Sequence, residues 1–119
     1  MTLKIERISA ITLKVANMEV SVRFYGDVLG MEIIYGGKHS YFSSLRMADA
    51  EFPILNLEQG SPIAGWGRVI FYVADVDAFW TYLKAKGLNP HQPQDATWGE
   101  RYFHMHDPDG NELSFAQPL

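Results

Sequence analysis

Two histidines and two aspartates crowd into RYFHMHDPDGNELSF, at His104, His106, Asp107 and Asp109. His104 and His106 lie two apart in what reads as a strand, so both imidazoles point to one face, a spacing that can offer two nitrogen ligands to a divalent metal. The aspartates read differently. Asp-Pro-Asp-Gly is a turn sequence, in which aspartate accepts from backbone amides while proline and glycine set the dihedrals. Phe103 and Met105 have the opposite parity to the histidines and are the better core residues. Whether the histidine face looks onto a cavity or onto solvent is open, since a one-residue slip reverses every face. Other chemistry is thinner. Ser43, Ser44 and Ser61 have no nucleophile elbow or base, and Gly36 and Gly37 sit in a hairpin and not in a phosphate loop. Glu100 beside Arg101 reads as a solvated ion pair at a strand edge before it reads as a general acid or base. No cysteine is present, which removes thiolate metal sites, thiol nucleophiles and disulfides together. No catalytic residue is assigned.

The elements that must position these residues follow a repeated plan. ISAITLKVA predicts a strand, and Asn17 then caps a helix over MEVSVRFYGDVLG with Met18, Val22, Tyr25 and Leu29 on one face and Gly30 at its end. MEIIYG, YFSSLRMA and FPILNLE predict three antiparallel strands. After the loop QGSPIAGWG, RVIFYVA is again a strand, and Asp75 caps a helix whose apolar face is Val76, Phe79, Trp80 and Leu83 and which Gly87 ends. A weak strand near Leu88 to Gln92, one at Arg101 to His106 and one at Glu112 to Gln117 complete the second half. Strand and helix thus recur after about 60 residues, with Val15 matching Val73 and Asn17 matching Asp75.

A chain of 119 residues bounds this to a single domain, 1–119, with modules 1–59 and 66–119 joined by loop 60–65. Ten lysines and arginines against 14 aspartates and glutamates give a formal charge of −4, which argues against nucleic acid as partner. The start, MTLKIERISAI, carries Lys4, Glu6 and Arg7 and has no sustained apolar run, so neither a signal peptide nor a membrane span is expected and a cytoplasmic location is.

SVRFYGDVLGM, VADVDAFW and WGERYFHMHDPDGNELSF, in this order within a duplicated chain, resemble the vicinal oxygen chelate superfamily, which includes glyoxalase I, extradiol dioxygenases, fosfomycin-resistance enzymes and bleomycin-resistance proteins. The carboxyl segment is most similar to the bleomycin-resistance branch. The resemblance implies an α+β fold of two tandem βαβββ modules, a curved mixed sheet around a cavity, and a homodimer. Metal enzymes of the superfamily place ligands at four strand positions, which fall here on Ala10, Arg68, Ser114 and either Leu55 or Asn56. Alanine and leucine carry no donor and arginine brings a fixed charge, so neither a metal nor another cofactor is expected.

The expected function is therefore a metal-free binding protein that sequesters a small aromatic ligand or antibiotic. The alternative is a lyase or dioxygenase of the same superfamily whose metal has moved to His104, His106 or His39, and a third reading is a non-catalytic partner or sensor domain. Tyr35, Phe42, Trp66, Arg68, Trp98, Tyr102, His104 and Ser114 are the expected ligand-binding residues, and Phe24, Tyr25 and Trp80 are assigned to the core. Arg68, if buried on the cavity floor, would favour a carboxylate, phenolate or carbonyl on the ligand unless Glu58 or another acid neutralises it.

Overall fold

The computed structural model describes residues 3–119. Its backbone falls into two compact units that divide between Pro62 and Ile63. The first unit contains β1 (Ala10–Val15), α1 (Met18–Val22), a π-helical continuation (Arg23–Val28), β2 (Glu32–Tyr35), β3 (Phe42–Arg46) and β4 (Ile54–Gln59). The second contains β5 (Arg68–Tyr72), α2 (Val76–Ala85), β6 (Gln94–Asp95), β7 (Glu100–His106) and β8 (Glu112–Pro118). Their sheets share one plan, β1-β4-β3-β2 and β5-β8-β7-β6. In each, the first strand pairs parallel with the last and the other pairings are antiparallel. Two mixed four-stranded sheets, each with a crossover helix, make the α+β βαβββ repeat that the sequence predicts.

Local chemistry sets the helix ends as expected. Asn17 is extended, with φ −139°, and its Oδ1 accepts from Val20 N at 3.1 Å. Asp75 repeats this at φ −143°, accepting from Ala78 N at 3.0 Å. These caps satisfy amides that have no partner inside the helix. The first helix departs from expectation in its second half, where Leu29 N donates to Phe24 O at 2.9 Å, an i to i+5 bond. Phe24 and Tyr25 are consecutive, yet both are buried and meet edge to face at 5.0 Å. The wider π turn accommodates two adjacent rings on the core side, which a regular helical period would set about 100° apart.

Alternation builds both cores. In the first unit Leu13, Val15, Leu45, Leu55 and Leu57 pack with Met18, Val22 and Tyr25 of the helix, all buried. Thr12, Ser44 and Asn56 carry the opposite parity and form a polar row across three strands. There Ser44 Oγ donates to Asn56 Oδ1 at 2.7 Å and Asn56 Nδ2 donates to Thr12 Oγ1 at 3.3 Å. Gly36 closes the β2–β3 hairpin at φ +76°, and a Cβ there would stand 2.3 Å from Phe42 O, so no larger residue fits.

In the second unit Phe103, Met105, Leu113 and Phe115 turn inward with Val76 and Leu83. The weak strand expected near Leu88 to Gln92 is instead irregular, and the short strand lies at Gln94–Asp95. Pro90 and Pro93 remove two donors from that stretch, and only His91 N, bonded to His104 O at 2.9 Å, follows the edge of β7. Trp80, expected in the core, is only half-buried, with Nε1 against Pro90 O at 3.4 Å. No helix among the described residues is long and apolar enough to cross a membrane.

Candidate ligand-binding site

Register places the chemistry on one face of the second sheet. Reading across β5, β8 and β7, three successive rows are Tyr72–Ala116–Tyr102, Ile70–Ser114–His104 and Arg68–Glu112–His106. Strand geometry separates the first row from the third by about 13 Å. A cavity of about 380 Å³ opens on this face, lined by Arg68, Ile70, Trp98, Glu100, Tyr102, His104, Ser114 and Ala116. Its wall is aromatic. Trp98 and Tyr102 stack with centroids 5.6 Å apart and planes at 27°, and Tyr102 meets the His104 ring at 5.0 Å.

His104 occupies the middle of the wall with both nitrogens engaged. Its Nδ1 is 2.7 Å from Ser114 Oγ, and Arg68 Nη1 stands 3.4 Å from its Nε2. Since a guanidinium can only donate, Nε2 is the acceptor and the ring proton sits on Nδ1, donating to Ser114. Burial pushes the His104 imidazolium below its ordinary range. Arg68, His91 and His106 push it the same way, and Glu112 opposes them. A neutral histidine already protonated toward the serine cannot take the serine's proton, so the pair is not an activated nucleophile. Ser114 is also buried, at 4% exposure.

Glu100 stands at the other end of the wall. Trp98 Nε1 donates to its Oε1 at 2.9 Å, and the Tyr72 hydroxyl donates to its Oε2. These two bonds hold its carboxyl below the usual range, Tyr72 first and Trp98 second. The expected pair with Arg101 is not formed. Arg101 lies on the adjacent, opposite parity and is clamped between Asp77, at 3.0 Å, and Asp95, at 3.0 Å. Arg68 also departs from expectation: it is about half exposed at the cavity edge, and its counter-charge is Glu112, at 3.8 Å. Glu58 is held elsewhere, by Lys14.

The Asp-Pro-Asp-Gly stretch is the turn that its sequence predicts. Asp107 Oδ1 accepts from Asp109 N at 3.0 Å and Asn111 N at 2.8 Å, and Oδ2 accepts from Asn111 Nδ2 at 3.0 Å. Asn111 Oδ1 in turn accepts from Trp66 Nε1 at 2.9 Å. This turn sets the β7–β8 register and so brings His104 opposite Ser114.

Of the residues expected to bind ligand, Arg68, Trp98, Tyr102, His104 and Ser114 meet in this cavity. Trp66 is half exposed and braces the turn, away from the lining. Tyr35 and Phe42 belong to the first unit, with Tyr35 65% exposed, and neither lines this cavity. The sequence reading passed over Ile70 and Ala116 and took Glu100 for a solvated ion pair with Arg101, not a lining residue. Parity with Arg68, Tyr102 and Ser114 was the signal that could have found them.

The four positions at which metal enzymes of this resemblance carry ligands do not suit a divalent ion. Register resolves the uncertain one: Asn56 pairs with Thr12 and Ser44, while Leu55 is buried on the opposite face. The positions are then Ala10 and Asn56 in the first unit and Arg68 and Ser114 in the second; alanine has no donor, Asn56 and Ser114 are committed to neighbours, and Arg68 carries a fixed positive charge. Among the described residues, no three histidines, aspartates or glutamates group to hold a metal. His106, the second member of the histidine pair, is exposed and outside the cavity lining.

Comparison with known proteins identifies the family and the fold. The family model for the Glyoxalase/Bleomycin resistance protein/Dioxygenase superfamily matches residues 7–115. The chain belongs to that superfamily. No curated protein is a significant sequence match. Among solved structures of this superfamily's fold, TnmS3, an antibiotic binding protein from Streptomyces sp. CB03234, is 23% identical, with 99% of this chain and 100% of that chain covered and a TM-score of 0.79. A lactoylglutathione lyase from Agrobacterium tumefaciens is 19% identical over 95% of this chain and 94% of that chain, with a TM-score of 0.78. A glyoxalase-related enzyme from Clostridium phytofermentans is 20% identical over 98% of each chain, also at a TM-score of 0.78. At these identities the likeness fixes the fold alone, and the structures that share it include an antibiotic binding protein and a lyase.

Proposed function

We propose that this protein is a metal-free binder of flat aromatic small molecules, acting by sequestration in the manner of an antibiotic binding protein and not by catalysis. The observation that carries the reading is the Trp98–Tyr102–His104 wall, continuous over one side of a cavity of about 380 Å³ with charged groups only at its ends. That volume lies in the usual range for a small-molecule site, and the wall offers aromatic surface along the strand direction. Ile70 and Ala116 supply an apolar floor. The two catalytic routes weighed for this chain are a metal and an activated serine. The inherited positions hold no histidine or carboxylate, and His104 carries its proton on the wrong nitrogen to activate Ser114.

Ile70, Tyr72 and Trp98 are 59%, 67% and 67% exposed, which is much apolar surface to leave in water. A homodimer in which a second copy covers this face belongs to the same proposal, as does a cytoplasmic location. Titration with acridine, a flat tricyclic, tests the reading. Saturable one-to-one quenching of tryptophan fluorescence is expected, and it should be lost in Trp98→Phe, because Trp66 and Trp80 lie outside the lining. Absence of quenching, with no chemical-shift change along β5, β7 and β8, would overturn it.

A further inference from the structure

We infer that the Glu100 end of the cavity is a subsite for an organic cation, so that the preferred ligand is an aromatic ring system bearing a positively charged nitrogen. This rests on the aromatic-binding reading above and adds the charge of the ligand to it.

The first support is an inequality between the two charged ends. Arg68 has a carboxylate 3.8 Å away in Glu112. Glu100 has no cationic partner among the described residues, because its neighbour Arg101 is taken by Asp77 and Asp95. What holds Glu100 is a pair of neutral donors, the Tyr72 hydroxyl and the Trp98 indole. Neutral donors orient a carboxylate and keep it ionised without cancelling its charge. Each oxygen has received one bond and retains a further lone-pair direction.

The second support is what surrounds that charge. Tyr72, Trp98 and Tyr102 gather around Glu100: two are bonded to it, and Tyr102 stacks on Trp98 at 5.6 Å. Aromatic faces beside a carboxylate are the arrangement that takes a weakly hydrated ammonium or a delocalised ring cation, since ring quadrupole and full charge attract the same ligand group. A carboxylate-bearing ligand would meet both as repulsion. The tyrosine and tryptophan orient the acid with the edge atoms Oη and Nε1, which leaves the Tyr72 ring and the Trp98 face turned away from Tyr102 for the ligand.

A matched trio of ligands tests this: N-methylacridinium, a permanent cation; acridine, neutral at pH 8; and acridine-9-carboxylate. Isothermal titration of the full chain at pH 8 should give N-methylacridinium an affinity about tenfold above acridine, with the carboxylate weakest. In Glu100→Gln the ratio of cation to neutral ligand should fall toward one, and raising the salt concentration should reduce the ratio in the unsubstituted protein. Equal affinities for all three, a preference for the carboxylate, or a ratio unchanged by Glu100→Gln would each overturn the cation subsite while leaving aromatic binding intact. Failure of all three to bind would instead remove the aromatic-binding reading, and the subsite with it.

Discussion

Replacing Asp107 should show whether the most metal-like stretch of the chain is a structural turn. The carboxylate is 5% exposed, its partner Asn111 is 2% exposed, and three donors converge on its two oxygens at 2.8 to 3.0 Å. In Asp107→Ala, the Asn111 amide N–H and the Asn111 side-chain NH2 lose their acceptors while buried. At roughly 1–3 kcal/mol for each stranded donor, and with water reaching the half-buried Asp109 N–H, the expected loss is about 3 kcal/mol. Asp107→Asn keeps an oxygen for the two backbone donors but turns an NH2 toward Asn111 Nδ2. Asn111 cannot relieve that clash by flipping, because its Oδ1 accepts from Trp66 Nε1. A cost of about 1–2 kcal/mol follows for Asp107→Asn, and Trp66→Phe should shrink it by freeing the flip. Urea denaturation of Asp107→Ala, together with the four proteins of the Asp107→Asn and Trp66→Phe double-mutant cycle, measures all three quantities. A loss below about 1 kcal/mol for Asp107→Ala, or no coupling between Asp107→Asn and Trp66→Phe, would refute the hydrogen-bond reasoning.

Three further outcomes are expected. Trp98→Leu should weaken acridine binding about two- to tenfold by removing one stacking face, as measured by calorimetry; an unchanged affinity would place the ligand elsewhere. Glu112→Gln removes the counter-charge of Arg68 and should shift the preference among the three acridines toward the carboxylate by about threefold, a modest change because the pair is half exposed and 3.8 Å apart. Lowering the pH should weaken N-methylacridinium binding as His104 protonates and adds a cation to the wall beside Arg68, His91 and His106, with Glu112 opposing. The imidazolium is held below its ordinary range, so the loss should come on the acid side of pH 6.5. Glu100 stays ionised there, since its carboxyl is held low. The same depressed histidine has a stability consequence: the unfolded chain binds this proton first, so the contribution is complete above pH 6.5 and is lost as pH falls through the native value. Affinity and urea midpoint measured from pH 8 to 5, against His104→Gln, read both effects; a histidine-independent profile would contradict this account.

Much of this architecture is written in local signals. Asn17 and Asp75 announce their helices because capping chemistry acts within three residues, and Phe103 and Met105 declare the core face of β7 because parity is a property of the strand alone. What failed to show in the sequence depends on residues distant along it. Glu100 next to Arg101 looks like an ion pair in one dimension, yet adjacent strand residues face opposite ways, and Arg101 finds Asp77 on α2 while Glu100 finds Tyr72 on β5. Arg68 looks like a buried charge in need of a ligand anion until β8 places Glu112 beside it. The π turn is equally hidden, because it answers to where Phe24 and Tyr25 must pack and not to any propensity of the segment itself.

The two sheets differ along the rows that carry Asn56 and Ser114, two of the four positions at which metal enzymes of the superfamily place ligands. Corresponding rows are Thr12–Asn56–Ser44 in the first unit and Ile70–Ser114–His104 in the second. The first row has become a closed hydrogen-bond chain, with Asn56 serving both neighbours. The second has paired its polar groups, Ser114 with His104, and opened its remaining position to the apolar Ile70. A row that satisfies its own polar atoms offers a ligand surface without offering metal donors. On such a surface, discrimination passes from coordination geometry to the groups at the ends of the row. On the proposed aromatic-binding reading, the unequal neutralisation of Arg68 and Glu100 is what would select among ligands, and exchanging those two charges should alter ligand preference more than any change along the aromatic wall between them.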